Sequence, residues 1–221
     1  MKQSYDIVIV GSGIGGLSTL LYLSETPIYK AGQLSICLLV KGALDQTNTN
    51  WAQGGIAGIL DKTDIGAKES HIEDTLTSGD GLCNESMVRE VIEGAAECIF
   101  ELVNIGVQFE KNQQGDFKLA KEGGHTERRI LHAKDATGRE IERALSEAAK
   151  NHNNITLMRN TLAIDLIQRD YGNPEEGVCG VWCLDQKSTE VITIKADSVI
   201  IATGGVGQLW SKTTNPGVAT G

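Results

Sequence analysis

Apolar residues come along this chain in short bursts, and the period of each burst points to an element. Tyr5-Asp6-Ile7-Val8-Ile9-Val10 and Leu34-Ser35-Ile36-Cys37-Leu38-Leu39-Val40 are nearly continuous apolar runs of strand length, the pattern of parallel strands covered on both faces. Between them, Leu17-Ser18-Thr19-Leu20-Leu21-Tyr22-Leu23 reads as a helix, so a β-α-β unit opens the chain. Residues 43 to 66 hold few large apolar side chains, and Asn48 to Ala57 reads as a glycine-rich loop with backbone donors that can face a ligand. The pattern then turns helical, with Lys68 to Ser78 as one candidate. Ser86 to Asn104 is a stronger one, with Val88, Val91, Ile92, Ala95, Ile99 and Leu102 on one stripe, Asn84 as its N-cap and Gly106 placed to end it. Thr137 is placed to cap a third helix, Gly138 to Lys150, with Glu140 completing a capping box. Beyond it Ile155 to Arg159, Leu162 to Arg169, Gly177 to Asp185 and Glu190 to Lys195 predict short strands. Val199-Ile200-Ile201-Ala202 predicts a last buried strand running into Thr203-Gly204-Gly205. The expectation is an α/β fold: a central parallel sheet, a helical insertion and a short β-meander.

The candidate chemistry begins where the first strand ends. Gly11-Ser12-Gly13-Ile14-Gly15-Gly16 stands between a strand and a helix, the context in which G-x-G-x-x-G is a dinucleotide-binding fingerprint. Gly11 permits the tight turn, Gly13 lets the backbone approach a pyrophosphate, and Gly16 lets helix and strand pack closely. The unpaired N–H groups and positive dipole end of the helix then face the phosphates. One position departs from the plain fingerprint: Lys41 follows the second strand, where an acid that binds a ribose hydroxyl belongs. The polar stretch Lys121-Glu122-Gly123-Gly124-His125-Thr126-Glu127-Arg128-Arg129-Ile130-Leu131-His132 is the other concentration of reactive side chains. Read by itself, Glu122 is an exposed loop carboxylate, and His125 and His132 are as readily structural as catalytic.

Composition and charge narrow the classes. With 221 residues, a net charge of −9 and 40% hydrophobic residues, the chain is an ordinary globular protein whose charge argues against nucleic acid and anionic membrane surfaces. No apolar run approaches the roughly 18 residues that span a bilayer. Five cysteines without a C-x-x-C pair suggest reduced thiols in a cytoplasmic protein, and no metal-ligand set is evident. Cys179 and Cys183, four apart on a predicted strand, read as packing. The closing segment, Lys212 to Gly221, is a polar loop without a closing element, so the chain reads as a piece of a longer protein.

Five motifs together carry a resemblance: the Gly11–Gly16 loop, Ala52-Gln53-Gly54-Gly55-Ile56, His132-Ala133-x-Asp135-x-Thr137-Gly138, Ala202-Thr203-Gly204-Gly205 and Thr214-Asn215-Pro216. Their order and spacing resemble the two-dinucleotide-binding flavoproteins. Within these the chain is similar to the family of L-aspartate oxidase and the flavoprotein subunits of succinate dehydrogenase and fumarate reductase. The resemblance implies a Rossmann-like FAD-binding domain, of which residues 1–221 are the N-terminal segment, with the family's capping and C-terminal helical domains outside it. It places the pyrophosphate over Ser12, Gly13, Ile14 and Gly15, and Lys41 near the adenosine end. It wraps the flavin in Asn48, Thr49, Asn50, Trp51, Ala52, Gln53, Gly54 and Gly55, and it sets Ala163 and Ile164 against the adenine through backbone atoms. At the position where relatives carry a histidine bonded to FAD this chain has Asn48, which implies noncovalent FAD. Glu122 resembles a substrate-orienting carboxylate of aspartate oxidases, suited to an α-ammonium group that succinate lacks. The implied activity is oxidation of L-aspartate to iminoaspartate with dioxygen or fumarate as acceptor, a functional link to quinolinate synthase, and no turnover by this segment alone. A soluble fumarate reductase or succinate dehydrogenase flavoprotein, and a non-catalytic dinucleotide-binding module, are the alternatives.

Overall fold

The computed structural model describes residues 4–134, 136–152 and 154–221. In chain order the elements are β1 (Ser4–Val10), α1 (Ile14–Ser24), α2 (Pro27–Lys30), β2 (Ile36–Val40), α3 (Asn48–Trp51), β3 (Ile56–Ala57), α4 (Ile65–Ser78), α5 (Glu85–Asn104), β4 (Leu119–Ala120), β5 (Ile130–Leu131), α6 (Thr137–Lys150), β6 (Ile155–Arg159), β7 (Thr161–Gln168), β8 (Val178–Asp185) and β9 (Glu190–Ile201). They fall into two compact units, Met1–Trp51 with Leu145–Gly221, and Ala52–Ala144. Among the described residues no helix is long and apolar enough to cross a membrane.

The first unit is built on a six-stranded sheet of order β6-β2-β1-β9-β8-β7. β6, β2, β1 and β9 run parallel, while β8 and β7 are antiparallel additions. All five residues of β2 are buried, as a central strand covered on both faces requires. On one face Tyr5, Val8, Val10, Cys37, Leu39, Val181, Cys183, Ile194 and Ala196 form the core. α1 buries Gly16, Leu17, Leu20 and Ser24, and Leu20 meets Leu38, Leu157 and Ala149 around a small apolar cavity of about 160 Å³.

β9 differs from the sequence expectation of two strands. It is one twelve-residue strand through Ala196-Asp197-Ser198. Its first half pairs antiparallel with β8 (Glu190 opposite Asp185), and its second half pairs parallel with β1 (Val10 opposite Ile201). The two strands expected here are one strand that changes partner and hence environment, which is why its pattern reads as two. β7 and β8 carry register shifts between Ala163 and Asp165 and between Ile167 and Gln168. Cys179 lies at the second shift and is half-buried, whereas Cys183 is fully buried, and all five cysteines are free thiols.

In the second unit α4 starts three residues before the expected Lys68, because the Asp64 carboxylate accepts from Ala67 N–H at 2.9 Å and so caps the helix there. α5 is bounded as its sequence predicts: Asn84 accepts from Met87 N–H. At the other end Val107 N–H reaches Leu102 O and Gly106 N–H reaches Val103 O, a Schellman closure with Gly106 at φ +104°. Its buried stripe is Ile92, Ala96, Ile99 and Leu102; Val91, expected on it, is exposed, since it lies about 100° round the helix from Ile92. The expected Thr137–Glu140 capping box is not what forms. Thr137 is already helical; its hydroxyl accepts from Ala133 N–H, and Glu140 accepts from Gln108 N–H while pairing with Arg143 at 2.6 Å. Arg143 takes both Glu140 oxygens and Gln108 N–H shares one of them, which draws the carboxylate away from the helix start. β3, β5 and β4 form a three-stranded antiparallel sheet with β5 in the middle, and Leu131 on β5 is fully buried.

Candidate functional site

In the first unit the strand order reverses at β1, with β2 on one side and β9 on the other. Such a switch point leaves a crevice beyond the carboxyl ends of the strands, the place where open α/β sheets bind ligands. A cavity of about 450 Å³ lies there, walled by Gly11–Gly15, Val40 and Lys41, Gln46–Thr49, Ala202–Gly205 and Val218–Ala219. The glycines explain its shape. Gly11 has φ +108°, and a Cβ there would come within 2.3 Å of Ala202 O. A Cβ on Gly16 would come within 1.9 Å of Gly11 O, so only glycine lets α1 start this close to β1. Gly13 is the extended N-cap of α1 and offers no side chain, which leaves helix N–H groups facing the cavity.

Several predicted residues meet at this cavity. Ser12 is buried, and its hydroxyl donates to Leu44 O at 2.9 Å, tying the glycine loop to the segment before α3. Ile14 N–H donates to Thr49 Oγ1 at 3.0 Å. Asn48 and Thr49 lie in a single helical turn rather than the expected irregular loop, because Thr47 caps it by accepting from Asn50 N–H. Asn48 Oδ1 is buried and has no hydrogen-bond partner in the protein. Lys41 donates to Thr220 Oγ1 at 2.7 Å, and partial burial holds its ammonium below the usual lysine range. Asn50, Trp51, Ala163 and Ile164 are not on this wall. Ala163 pairs with Cys183 on β8, and Ile164 sits at the bulge, outside the ladder.

A narrow cradle of glycine backbone, helix N–H groups, one lysine and an orphaned buried amide oxygen fits an extended anionic dinucleotide. A family model described as FAD binding domain matches residues 6–221. The chain belongs to the FAD binding domain family. Curated relatives of this FAD-binding chain include L-aspartate oxidase of Pseudomonas aeruginosa, 42% identical over 98% of the chain, and that of Vibrio cholerae, 39% identical over 100%. The chain spans only about 40% of the length of these relatives. Among solved structures, an E. coli quinol fumarate reductase matches with TM-score 0.87 and 24% identity over 99% of the chain and 36% of its own, a likeness of fold.

The second unit of this FAD-binding chain holds Ala52–Gly55 and Glu122. Ala52 O accepts from Gly138 N–H, while Gln53 and Gly54 are exposed. Gly55 packs against β5: a Cβ there would come within 2.4 Å of Leu131 O and 2.9 Å of His132 Nε2. Glu122 Oε1 lies 3.1 Å from His132 Nε2, with the Glu122 side chain 45% exposed. Asp135 of the His132–Gly138 motif lies outside the described residues.

Arg129 and His125, read from the sequence as at least as readily structural as catalytic, are structural here, but their pairing with α4 escaped the sequence reading. Arg129 is fully buried and ion-pairs with Asp74 of α4 at 3.0 Å; Asp74 also accepts from Thr126 N–H at 2.7 Å. His71 and His125 stand beside them with ring centroids 5.4 Å apart, each with a buried Nδ1 that has no partner. Burial first, then the Arg129 charge and His125, pull His71 down to about 4. The group pins the Gly123–Arg129 loop onto α4. The helical spacing of Ser70, His71 and Asp74 was its only sequence signal. Among the described residues no cluster suited to a metal ion occurs.

Proposed function

We propose that the chain is the FAD-binding part of an L-aspartate oxidase that converts L-aspartate to iminoaspartate. The observation that carries this reading is Glu122, a carboxylate held at 3.1 Å by His132, in a chain similar to proteins named L-aspartate oxidase. A carboxylate pairs with the α-ammonium of aspartate; an amide there could not. Gly13, Ile14 and Gly15 supply N–H groups to the pyrophosphate and Ser12 fixes their loop. Lys41 sits toward the adenosine, and Ala163 and Ile164 offer backbone atoms to the adenine, a role helped by the bulge at Ile164. Residues 48–55 (Asn48, Thr49, Asn50, Trp51, Ala52, Gln53, Gly54 and Gly55) form the flavin loop. Asn48 has no nucleophilic nitrogen, so FAD is held noncovalently. FAD held by these residues would supply a two-electron acceptor for hydride from C2, with dioxygen or fumarate as the final acceptor. Iminoaspartate goes on to quinolinate synthase, with the reaction in the cytoplasm; four plant relatives are named chloroplastic.

The test is anaerobic reduction of the full-length protein. L-Aspartate is expected to bleach the flavin band and succinate is not; acid precipitation releases the flavin to the supernatant. Glu122→Gln should weaken aspartate binding by about tenfold or more, the scale of a lost charge-assisted hydrogen bond. Bleaching by succinate would move the assignment to a dicarboxylate oxidoreductase, and a protein without flavin would leave a dinucleotide-binding module.

A further inference from the structure

We propose that His132 is the positioning residue that holds Glu122 in its substrate-binding orientation and so sets the preference for an amino dicarboxylate; the inference rests on the aspartate reading. Glu122 stands on an exposed loop just after β4, and a free glutamate there samples many rotamers. An orienting carboxylate has to be held, and His132 Nε2 holds it by one oxygen, Oε1, at 3.1 Å. The second oxygen is left for an ammonium group.

His132 is itself anchored on three sides. It follows β5, the central strand of its sheet, whose Leu131 is fully buried. Its carbonyl accepts from Glu110 N–H at 2.8 Å. The Gly55 Cα packs on its ring so closely that a Cβ would come within 2.9 Å of Nε2. A side chain larger than glycine's at position 55 would displace the ring from this place. Of the two histidines in the polar stretch, His125 does not compete for the role: it packs beside His71, with its Nδ1 buried and unpartnered. Gly55, His132 and Glu122 form one continuous line of contacts, from the candidate flavin loop to the candidate substrate carboxylate.

The experiment measures dissociation constants of L-aspartate and succinate on the flavin-loaded full-length protein, by flavin absorbance perturbation or calorimetry. His132→Phe keeps the ring volume and removes the donor; His132→Gln keeps an N–H near the position of Nε2. His132→Phe is expected to weaken aspartate about tenfold while succinate changes less than about twofold, and His132→Gln to restore most of the loss. The double variant His132→Phe/Glu122→Gln should bind aspartate no more weakly than Glu122→Gln alone. Equal weakening of both ligands, no recovery in His132→Gln, or additive losses in the double variant would overturn the role of His132. A wild-type protein that binds succinate as tightly as aspartate would sink the function and this inference together. Aspartate selectivity that survives His132→Phe would sink the inference alone.

Discussion

At the scale of single residues, the second unit keeps a histidine uncharged. His71 is buried beside the Arg129 guanidinium and the His125 ring; Asp74, the one neighbour that favours its charged form, is outweighed. Its titration falls from the ordinary histidine value of 6.5 to about 4. Between those values the unfolded chain binds a proton that the folded protein does not, so stability falls as pH drops through this window and is fully present above it. Asp74 behaves differently. Thr126 N–H donates to its carboxylate, and with Arg129 this lowers its titration below 3.8, so its contribution is lost only at lower pH. Urea midpoints measured between pH 6.5 and 4 should therefore decline in the wild type and decline less in His71→Phe. Parallel declines in both proteins would mean that His71 is not the group responsible.

At the scale of elements, what the sequence made legible was what local chemistry decides. α5 was bounded correctly because Asn84 and Gly106 act within one turn of the helix they close. The β1-turn-α1 entry was readable because Gly16 meets Gly11 O within six residues, although the constraint on Gly11 itself comes from Ala202 at the end of β9. Where a partner distant in sequence decides, the reading failed. β9 is one strand because β8 and β1 take it in turn, and the Thr137 box yields to Gln108 and Arg143. The site divides the same way: the phosphate loop was visible, while the Asp74–Arg129 pair needed the fold to bring α4 to the loop. The α5 closure gives a direct test. Gly106 has φ +104°, and open space surrounds a Cβ placed there, so Gly106→Ala meets only the backbone cost. That cost is about 1–2 kcal/mol, visible as a lower denaturation midpoint. An unchanged midpoint would mean that the Schellman turn relaxes without loss.

At the scale of the whole molecule, the sheet assembles one cavity from segments scattered along the chain. Val10 opposite Ile201 puts the turn after β1 beside the turn after β9, and the α3 segment closes the wall between them. None of these segments could cradle a dinucleotide alone, since each offers only a few backbone donors. Their dependence on one another predicts a shared response to ligand. FAD at a hundred times its dissociation constant stabilises the state that binds it by about 2.7 kcal/mol. Amide exchange in the full-length protein should therefore slow together at residues 11–15, 46–49 and 202–205 when FAD is added. Ile14 N–H is the most telling position, because Thr49 Oγ1 already accepts it at 3.0 Å without ligand. Its exchange should slow less than that of Gly13 and Gly15. Protection confined to residues 11–15, with 202–205 unchanged, would mean that the nucleotide rests on the first turn alone and that the β9 turn has no part in holding it.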